Sequence, residues 1–331
     1  MERIVKALAG RKVLVTGAMG FIGSHLCERL VQVGATVRAM GRYNSQGHLG
    51  HLQNSPFRNE MELRLGDVRD PNFVDSAMDE IEVVFHLAAL IGIPYSYSSP
   101  HSYVSTNVVG TLNVLNAVRR LGVQRMIHTS TSEVYGTALE VPIKETHPLQ
   151  GQSPYSATKI GADKLVESFF LSFETPVVTA RPFNTFGPRQ SRRAVIPTII
   201  SQALAGAEIS LGSLSPTRDF NYVDNTVDGF LACAVSDNAL GRTFNLGYGK
   251  EISIGDLVKL ILDLVGSKAQ VRCVSERTRP AGSEVNRLLA CNSLARSVLG
   301  WEPTVGLREG IERTIEWMKT QDLDRATEYA V

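Results

Sequence analysis

The sequence predicts an α/β fold: a Rossmann doubly wound parallel sheet with a smaller mixed α/β C-terminal lobe. Three observations predict it. Short apolar runs alternate with helical patterns through the first 181 residues, with short connections between them. The runs are nearly all apolar rather than alternating, as in strands covered on both faces. A glycine-rich turn follows the first run directly and opens the first helix.

The elements follow in order. KVLVT (12–16) is the first strand, and residues 24–33 form a helix stopped by Gly34. TVRAM (36–40) and MELRLGD (61–67) are the next strands, and EVVFHLA (82–88) is the fourth. A long helix covers 104–121 and ends at Gly122. RMIHTS (125–130) is the fifth strand, 155–173 a helix, and PVVTAR (176–181) the sixth strand. Beyond Arg181 the pattern loosens into a loop rich in Pro, Gly and Arg. Helices follow at about 195–205, 224–235, 255–265 and 307–319, with short strands such as RTFNLG (242–247). We expect residues 1–181, with segments from about 220–248, to form the dinucleotide-type domain. About 182–219 and 249–331 then form the second lobe, and the residues after Lys319 fray.

A chain of 331 residues exceeds what one core usually spans. Its 43% hydrophobic and 20% charged residues are an ordinary globular mixture. A net charge of +1 gives no electrostatic case for nucleic acid or an anionic membrane. Cys27, Cys233, Cys273 and Cys291 match no zinc spacing, and the seven histidines show no metal-binding pattern, so no metal is expected. The N-terminal MERIVKALAGRK lacks an apolar core and no window approaches a membrane span, which gives a cytoplasmic expectation.

Gly17, Gly20 and Gly23 give GxxGxxG, with Phe21 and Ile22 inside it. Glycines there let the backbone approach a pyrophosphate, and the helix N-terminus supplies free N–H groups and positive dipole. The cofactor expected is NADP or NAD. NAD enzymes usually end the second strand on an acid that binds the ribose hydroxyls. This chain has Gly41 followed by Arg42, and an arginine pairs with a 2′-phosphate where an acid would repel it. That favours NADP; the alternative is a solvated Arg42 with the ribose held by Asn44 or Ser45. Asp67 and Val68, after the third strand, are placed to meet the adenine. Leu87, Ala88 and Ala89 end the fourth strand beside the cofactor, where small residues leave room.

TSTSEVYG, at the end of the fifth strand, holds one carboxylate, Glu133, among hydroxyl side chains that include Thr131 and Ser132. Some 20 residues later, Tyr155 and Lys159 stand four apart, on one face of a helix. A free tyrosine has a pKa of about 10, too high for a base at neutral pH. A nearby ammonium, together with the nicotinamide cation, is expected to lower it.

Together these motifs resemble the extended short-chain dehydrogenase/reductase superfamily. The likeness extends to RPFN (181–184), FGP (186–188), Arg218-Asp-Phe and Arg279-Pro, so it covers nearly the whole chain. It implies an enzyme of nucleotide sugars, with a tightly bound NADP or NAD and a nucleotide-diphosphate sugar as its small-molecule partner. Tyr155 and Lys159 become the catalytic pair, and Asn107 lies near the nicotinamide. Asn184 and Arg218 meet the diphosphate, Arg279 and Glu284 the phosphates and nucleoside ribose, and Val195 the base. Similar proteins pair the helices at 104–121 and 155–173 into a homodimer.

Within the superfamily the carboxylate sorts the reactions. A 4-epimerase generally has no acid at the position of Glu133. A 4,6-dehydratase needs one near C5 and C6, and Glu133 is the candidate. Many glucose-type dehydratases read Thr-Asp-Glu; mannose-type ones read Thr-Ser-Glu, as here. Decarboxylases of UDP-glucuronate also carry Thr-Ser-Glu, but place an arginine just before the tyrosine, where this chain has GQSP (151–154). The resemblance is greatest to the legionaminic-acid-type N-acetylglucosamine 4,6-dehydratases. A 4-epimerase, a decarboxylase and a non-catalytic dinucleotide sensor stand as alternatives.

Overall fold

The structure, a computed structural model, describes residues 2–206, 208–274 and 281–321. Arg279 and the tail beyond Gln321 lie outside the described residues.

Seven parallel strands form the main sheet in the order β10-β6-β5-β4-β1-β2-β3. These are β1 (Lys12–Thr16), β2 (Thr36–Arg42), β3 (Met61–Gly66), β4 (Val83–His86), β5 (Arg125–Thr129), β6 (Val177–Pro182) and β10 (Thr243–Leu246). Central strands β4 and β6 are buried at every position, the apolar residues together with His86, Thr179 and Arg181. One face packs on α2 (Phe21–Gln32) and α9 (Val223–Val235), with α1 (Glu2–Leu8) against α9. The other carries α3 (Pro71–Met78), α6 (Gly110–Leu121) and α7 (Pro154–Phe173). Between β4 and α6 run two short helices, α4 (Ile93–Ser98) and α5 (Pro100–Tyr103).

The smaller C-terminal domain holds a three-stranded sheet, β11 (Glu251–Ser253), β9 (Thr217–Tyr222) and β7 (Asn184–Phe186), and a pair, β8 (Ile209–Leu211) with β12 (Val271–Cys273). Helices α8 (Val195–Leu204), α10 (Ile254–Val265) and α11 (Leu307–Lys319) pack beside them.

Helix α1 was not expected, and two other helices differ from expectation by more than a residue or two. Helix α2 begins at Phe21 rather than Ser24, because Gly20 already serves as its N-cap. The long helix expected over 104–121 is not continuous: Val104–Val109 is a π-helical turn and the α-helix proper starts at Gly110. The extra residue in that turn carries Asn107, which is buried and faces α7.

Candidate active site

The glycine turn is shaped for a close ligand. Gly17 has φ +71°, and a Cβ there would lie 2.8 Å from the Ala88 nitrogen. A Cβ on Gly23 would run into the Gly17 carbonyl, so the turn and α2 touch through backbone alone. No side chain caps α2, leaving the N–H groups of Phe21, Ile22 and Gly23 at a positive helix end. This cradle fits a dinucleotide pyrophosphate. Opposite it, the Leu87 and Ala88 nitrogens donate to the Thr16 carbonyl and hydroxyl, at 3.2 and 3.1 Å, and Ala89 follows.

At the adenosine end Gly41 lies under Met19 of the glycine turn. A Cβ on Gly41 would fall on the Met19 thioether, 2.7 Å from Cγ. Arg42 and Ser45 are exposed. The Asn44 amide is already engaged, donating to the His48 carbonyl (2.8 Å) and accepting from its nitrogen (2.9 Å). The Asp67 carboxylate is held by Arg69 at 2.5–3.0 Å, which keeps its pKa low, and Arg42 acts on it in the same direction. Val68 is buried, its carbonyl accepting from Asn113 at 3.0 Å.

The acid–base end is built by one helix cap and one turn. Ser153 and Ser156 form a reciprocal capping box with Pro154 at the first position, so Tyr155 is fixed in the first turn of α7. Thr131 caps a short 3₁₀ turn, Ser132–Tyr135, its hydroxyl accepting from the Glu133 nitrogen at 3.3 Å. The turn brings Thr131 and Glu133 to the Tyr155 phenol, where Thr131 favours its ionised form and the Glu133 charge opposes it. Ser132 is buried beneath. Asn107 donates to Leu90 O (3.0 Å) and Thr158 Oγ1 (3.1 Å) and accepts from Leu90 N (2.8 Å), tying the end of β4 to α7.

The expected lowering of Tyr155 is reversed in the protein itself. Burial raises the phenol above its ordinary value; Thr131 opposes this, while Glu133, Tyr103 and Asp163 add to it. The Tyr103 ring meets Tyr155 edge-on with centroids 6.3 Å apart, and its hydroxyl donates to Gly92 O at 2.5 Å. Lys159 is also buried, and burial brings its ammonium down to about 8. It donates to the Thr129 carbonyl at 2.6 Å.

Beneath this pair lies a polar layer that the motifs did not reveal. His86 Nδ1 meets Thr16 Oγ1 at 2.8 Å, and its Nε2 meets Thr111 Oγ1 at 3.1 Å. Thr111 donates its own proton to Asn107 O (2.6 Å), so His86 Nε2 carries the hydrogen and the ring is neutral. Asp163, one turn beyond Lys159, is buried with His128 and Arg181. The signal was present as a third polar residue at the four-residue spacing of Tyr155 and Lys159.

At the nucleotide end Asn184 begins β7, and its Oδ1 is buried without a protein partner among the described residues. Strand pairing sets it beside Phe220, two residues after Arg218. Arg218 is buried and pairs with Glu284 at 3.3 Å, so two predicted residues do meet. Segment 283–286 reaches back to the acid–base end. Thr137 Oγ1 lies 3.4 Å from the Glu284 carbonyl, and Tyr97 OH lies 2.6 Å from Ser283 Oγ. Val195 opens α8 and is half-buried.

A parallel sheet with a pyrophosphate cradle at its switch point and Tyr155, Lys159 and Thr131 beside it defines a short-chain dehydrogenase/reductase. The chain belongs to the GDP-mannose 4,6 dehydratase family, whose model matches residues 14–314. It is thus an enzyme of a group that uses a nicotinamide dinucleotide on nucleotide sugars. It is similar to the UDP-glucose 4-epimerase of Mycolicibacterium smegmatis, with 33% identity over 94% of this chain and 99% of that protein. It is similar as well to UDP-glucuronic acid decarboxylase 1 of Xenopus tropicalis, with 32% identity over 94% of this chain and 73% of that protein. Among solved structures, DesIV, a dTDP-glucose 4,6-dehydratase from Streptomyces venezuelae solved with NAD bound, matches with a TM-score of 0.85. Its identity is 27%, over 93% of this chain and 97% of that one. No helix among the described residues is long and apolar enough to cross a membrane.

Proposed function

We propose that the protein is a cytoplasmic nucleotide-sugar 4,6-dehydratase. It converts an NDP-hexose, of the NDP-N-acetylglucosamine class used by legionaminic-acid-type enzymes, to the 4-keto-6-deoxy sugar nucleotide and water. The observation that carries this reading is Glu133, a carboxylate whose charge reaches the Tyr155 phenol across the Thr131 cap. Against decarboxylation, GQSP (151–154) before Tyr155 holds no arginine, and the Gln152 Oε1 is spent accepting from the Thr137 nitrogen at 2.7 Å.

When bound, the nicotinamide ring supplies the hydride acceptor for C4 and the hydride donor for C6. Tyr155 takes the proton of the C4 hydroxyl, and Thr131 hydrogen-bonds the same oxygen. Burial favours the phenol, so positive charge beside Tyr155 is needed to hold the phenolate that accepts that proton, and Lys159 is the protein's own source. The C4 ketone acidifies C5–H, and Glu133 removes that proton. Water leaves C6 with a proton from Glu133 or from Ser132, and C5 is then reprotonated. Asn184, Arg218 and Glu284 hold the diphosphate and ribose, with Val195 at the base. The cofactor lobe is 1–181 with about 220–248; the sugar lobe is the remainder.

Mass analysis of the nucleotide sugar after incubation with purified protein tests this. Loss of one water supports dehydration, and loss of carbon dioxide from a uronate means decarboxylation. An isomer of unchanged mass means 4-epimerisation, the second reading, which Ser132 favours because it leaves Glu133 as the sole carboxylate of the turn. Glu133→Gln should abolish water loss yet still permit nicotinamide reduction; full-rate dehydration by that variant would remove Glu133 from the mechanism.

NADP is the proposed cofactor, supported by Gly41 under Met19 and by exposed Arg42. NADP should bind more tightly than NAD, and Arg42→Ala should remove that difference, as read by titration calorimetry. A homodimer through α6 and α7 would cover Leu171 and Phe173, 73% and 46% exposed, and Val109, 41% exposed. Light scattering measures it.

A further inference from the structure

The face of α7 that carries Tyr155 and Lys159 continues to Asp163 at the same four-residue step. Its carboxylate is almost fully enclosed and makes three hydrogen bonds. Oδ2 accepts from Ser130 Oγ and from Arg181 Nη2, both at 2.7 Å, and Oδ1 meets His128 Nε2 at 3.1 Å. Arg181, on β6, is equally buried. Its Nη1 donates to the Tyr135 hydroxyl at 2.7 Å and its Nε to Ser130 Oγ at 3.3 Å, with the guanidinium 4.8 Å above the Tyr135 ring. Tyr135 in turn donates to Asn245 Oδ1 at 2.7 Å, and Asn245 Nδ2 to the Ile143 carbonyl at 3.0 Å.

Ser130 and Tyr135 are the two ends of the turn that holds Thr131, Ser132 and Glu133 between them. Lys159 rests on the Thr129 carbonyl, one residue before Ser130. Thr131, Ser132, Glu133 and Lys159 are therefore seated on one buried ion pair, and neither member of that pair is exposed to a substrate.

We propose that Asp163 and Arg181 are the positioning residues of the acid–base site, clamping both ends of the Thr131–Glu133 turn, with Asp163 also serving as the buried counter-ion of Lys159. The proposal rests on the reading of Tyr155 and Lys159 as the C4 oxidation pair, and on no later step. Burial draws the Lys159 ammonium down to about 8 and Asp163 is the group that opposes the fall. The other ionisable groups around Lys159 are Tyr155 on its own helix, His86 on β4, His128 on β5 and Arg181 on β6. Both histidines are kept neutral by burial, with Lys159 among the groups that lower them, so neither replaces the carboxylate.

The test is Asp163→Asn in the purified protein, with two readouts. One is the pH dependence of single-turnover nicotinamide reduction by the sugar nucleotide. The other is NMR titration of isotope-labelled lysine, with the Lys159 signal identified by its loss in Lys159→Met. In the wild type both should break near 8, the value burial gives Lys159. In Asp163→Asn both should move down by about one pH unit or more, the effect of removing an opposite charge. Single-turnover rate near that pH should then fall about fivefold as the protonated fraction drops. Arg181→Met should slow reduction at every pH and leave the break in place. Asp163→Glu should restore the break while remaining slower than wild type.

If Asp163→Asn does not fold, Asp163→Asn with Arg181→Gln keeps a neutral hydrogen-bonded pair and should show the same displaced break. A folded carboxylate-free variant with wild-type rate and wild-type break overturns the proposal. So does Asp163→Glu at wild-type rate if no carboxylate-free variant folds. Product identity is a separate measurement: an isomer instead of a dehydrated sugar would overturn the dehydratase reading and leave the pair's role intact. Absence of any reduction in the wild type would sink both.

Discussion

Two buried aspartates, one in each domain, solve the same problem in opposite ways. Asp163 in the main domain faces the Arg181 guanidinium and His128; burial raises its carboxyl, but Arg181, His128 and Ser130 together hold it far below the usual carboxylate range. Asp219, on β9 of the C-terminal domain, has no cation as a hydrogen-bond partner among the described residues. It accepts from the nitrogens of Tyr248 (2.7 Å), Gly249 (2.8 Å) and Ala290 (3.1 Å), which join three segments at one carboxylate. Burial outweighs those three N–H groups and raises Asp219 to about 6. Backbone dipoles satisfy a buried carboxylate's hydrogen bonds without matching a full charge. The main domain thus keeps a fixed charge under its acid–base site, whereas the smaller domain keeps a carboxylate that titrates.

The largest test of that contrast is Arg181→Met. It strands the Asp163 charge, and removing one partner of a buried pair costs about 3–5 kcal/mol. Urea unfolding at neutral pH reads it; a loss below about 1 kcal/mol would mean that His128 and Ser130 suffice. Asp219→Asn should cost less, about 1–3 kcal/mol, because no ion is stranded and one amide oxygen replaces an acceptor of three N–H groups. The same measurement checks it.

The pH dependences should have opposite signs. Asp163 is depressed in the folded state, so its contribution is complete above about pH 4 and is lost as pH falls below that. Asp219 is raised, so its contribution is complete below about pH 4 and is lost as pH rises through about 6. His25, His51, His86 and His128, all lowered mainly by burial, act against Asp219 in the same window, costing stability as pH falls through their unfolded value. The difference between wild type and Asp219→Asn isolates the aspartate, and it should change by up to about 3 kcal/mol between pH values of about 8 and 4. A difference independent of pH would contradict the raised value. The smallest effect belongs to Glu251, whose charge adds to the rise in Asp219. Glu251→Gln should move the Asp219 midpoint down from about 6, as read by NMR titration; an upward move would reverse the assigned sign.

The main sheet was legible because covered parallel strands leave a largely apolar, non-alternating signature, and KVLVT matches β1 residue for residue. The glycine turn and the Tyr155–Lys159 pair were legible because each depends on local spacing. The π-helical turn at Val104–Val109 was not, since one extra residue in a helix leaves the apolar period nearly unchanged. Asp163 and Arg181 were missed as site residues because their partnership joins α7 to β6, and no spacing along the chain encodes that contact. The direction of the Tyr155 shift was missed for a related reason. Sequence displays the neighbouring lysine, but the enclosure by Tyr103 and Ile93 arises only after folding. The Arg218–Glu284 pair is a case between these: both residues were chosen, but for a ligand rather than for each other.

Met19 over Gly41 has a consequence for how this enzyme could change over generations. An acid at position 41, the usual ribose ligand of NAD-type relatives, would set its first carbon on the thioether, so it enters only if the Met19 side chain swings aside. That obstacle is the movable end of a side chain and not backbone, so a single substitution can make the change. Gly17 and Gly23 differ in this respect: a Cβ at either would meet backbone atoms, which cannot yield without moving the turn.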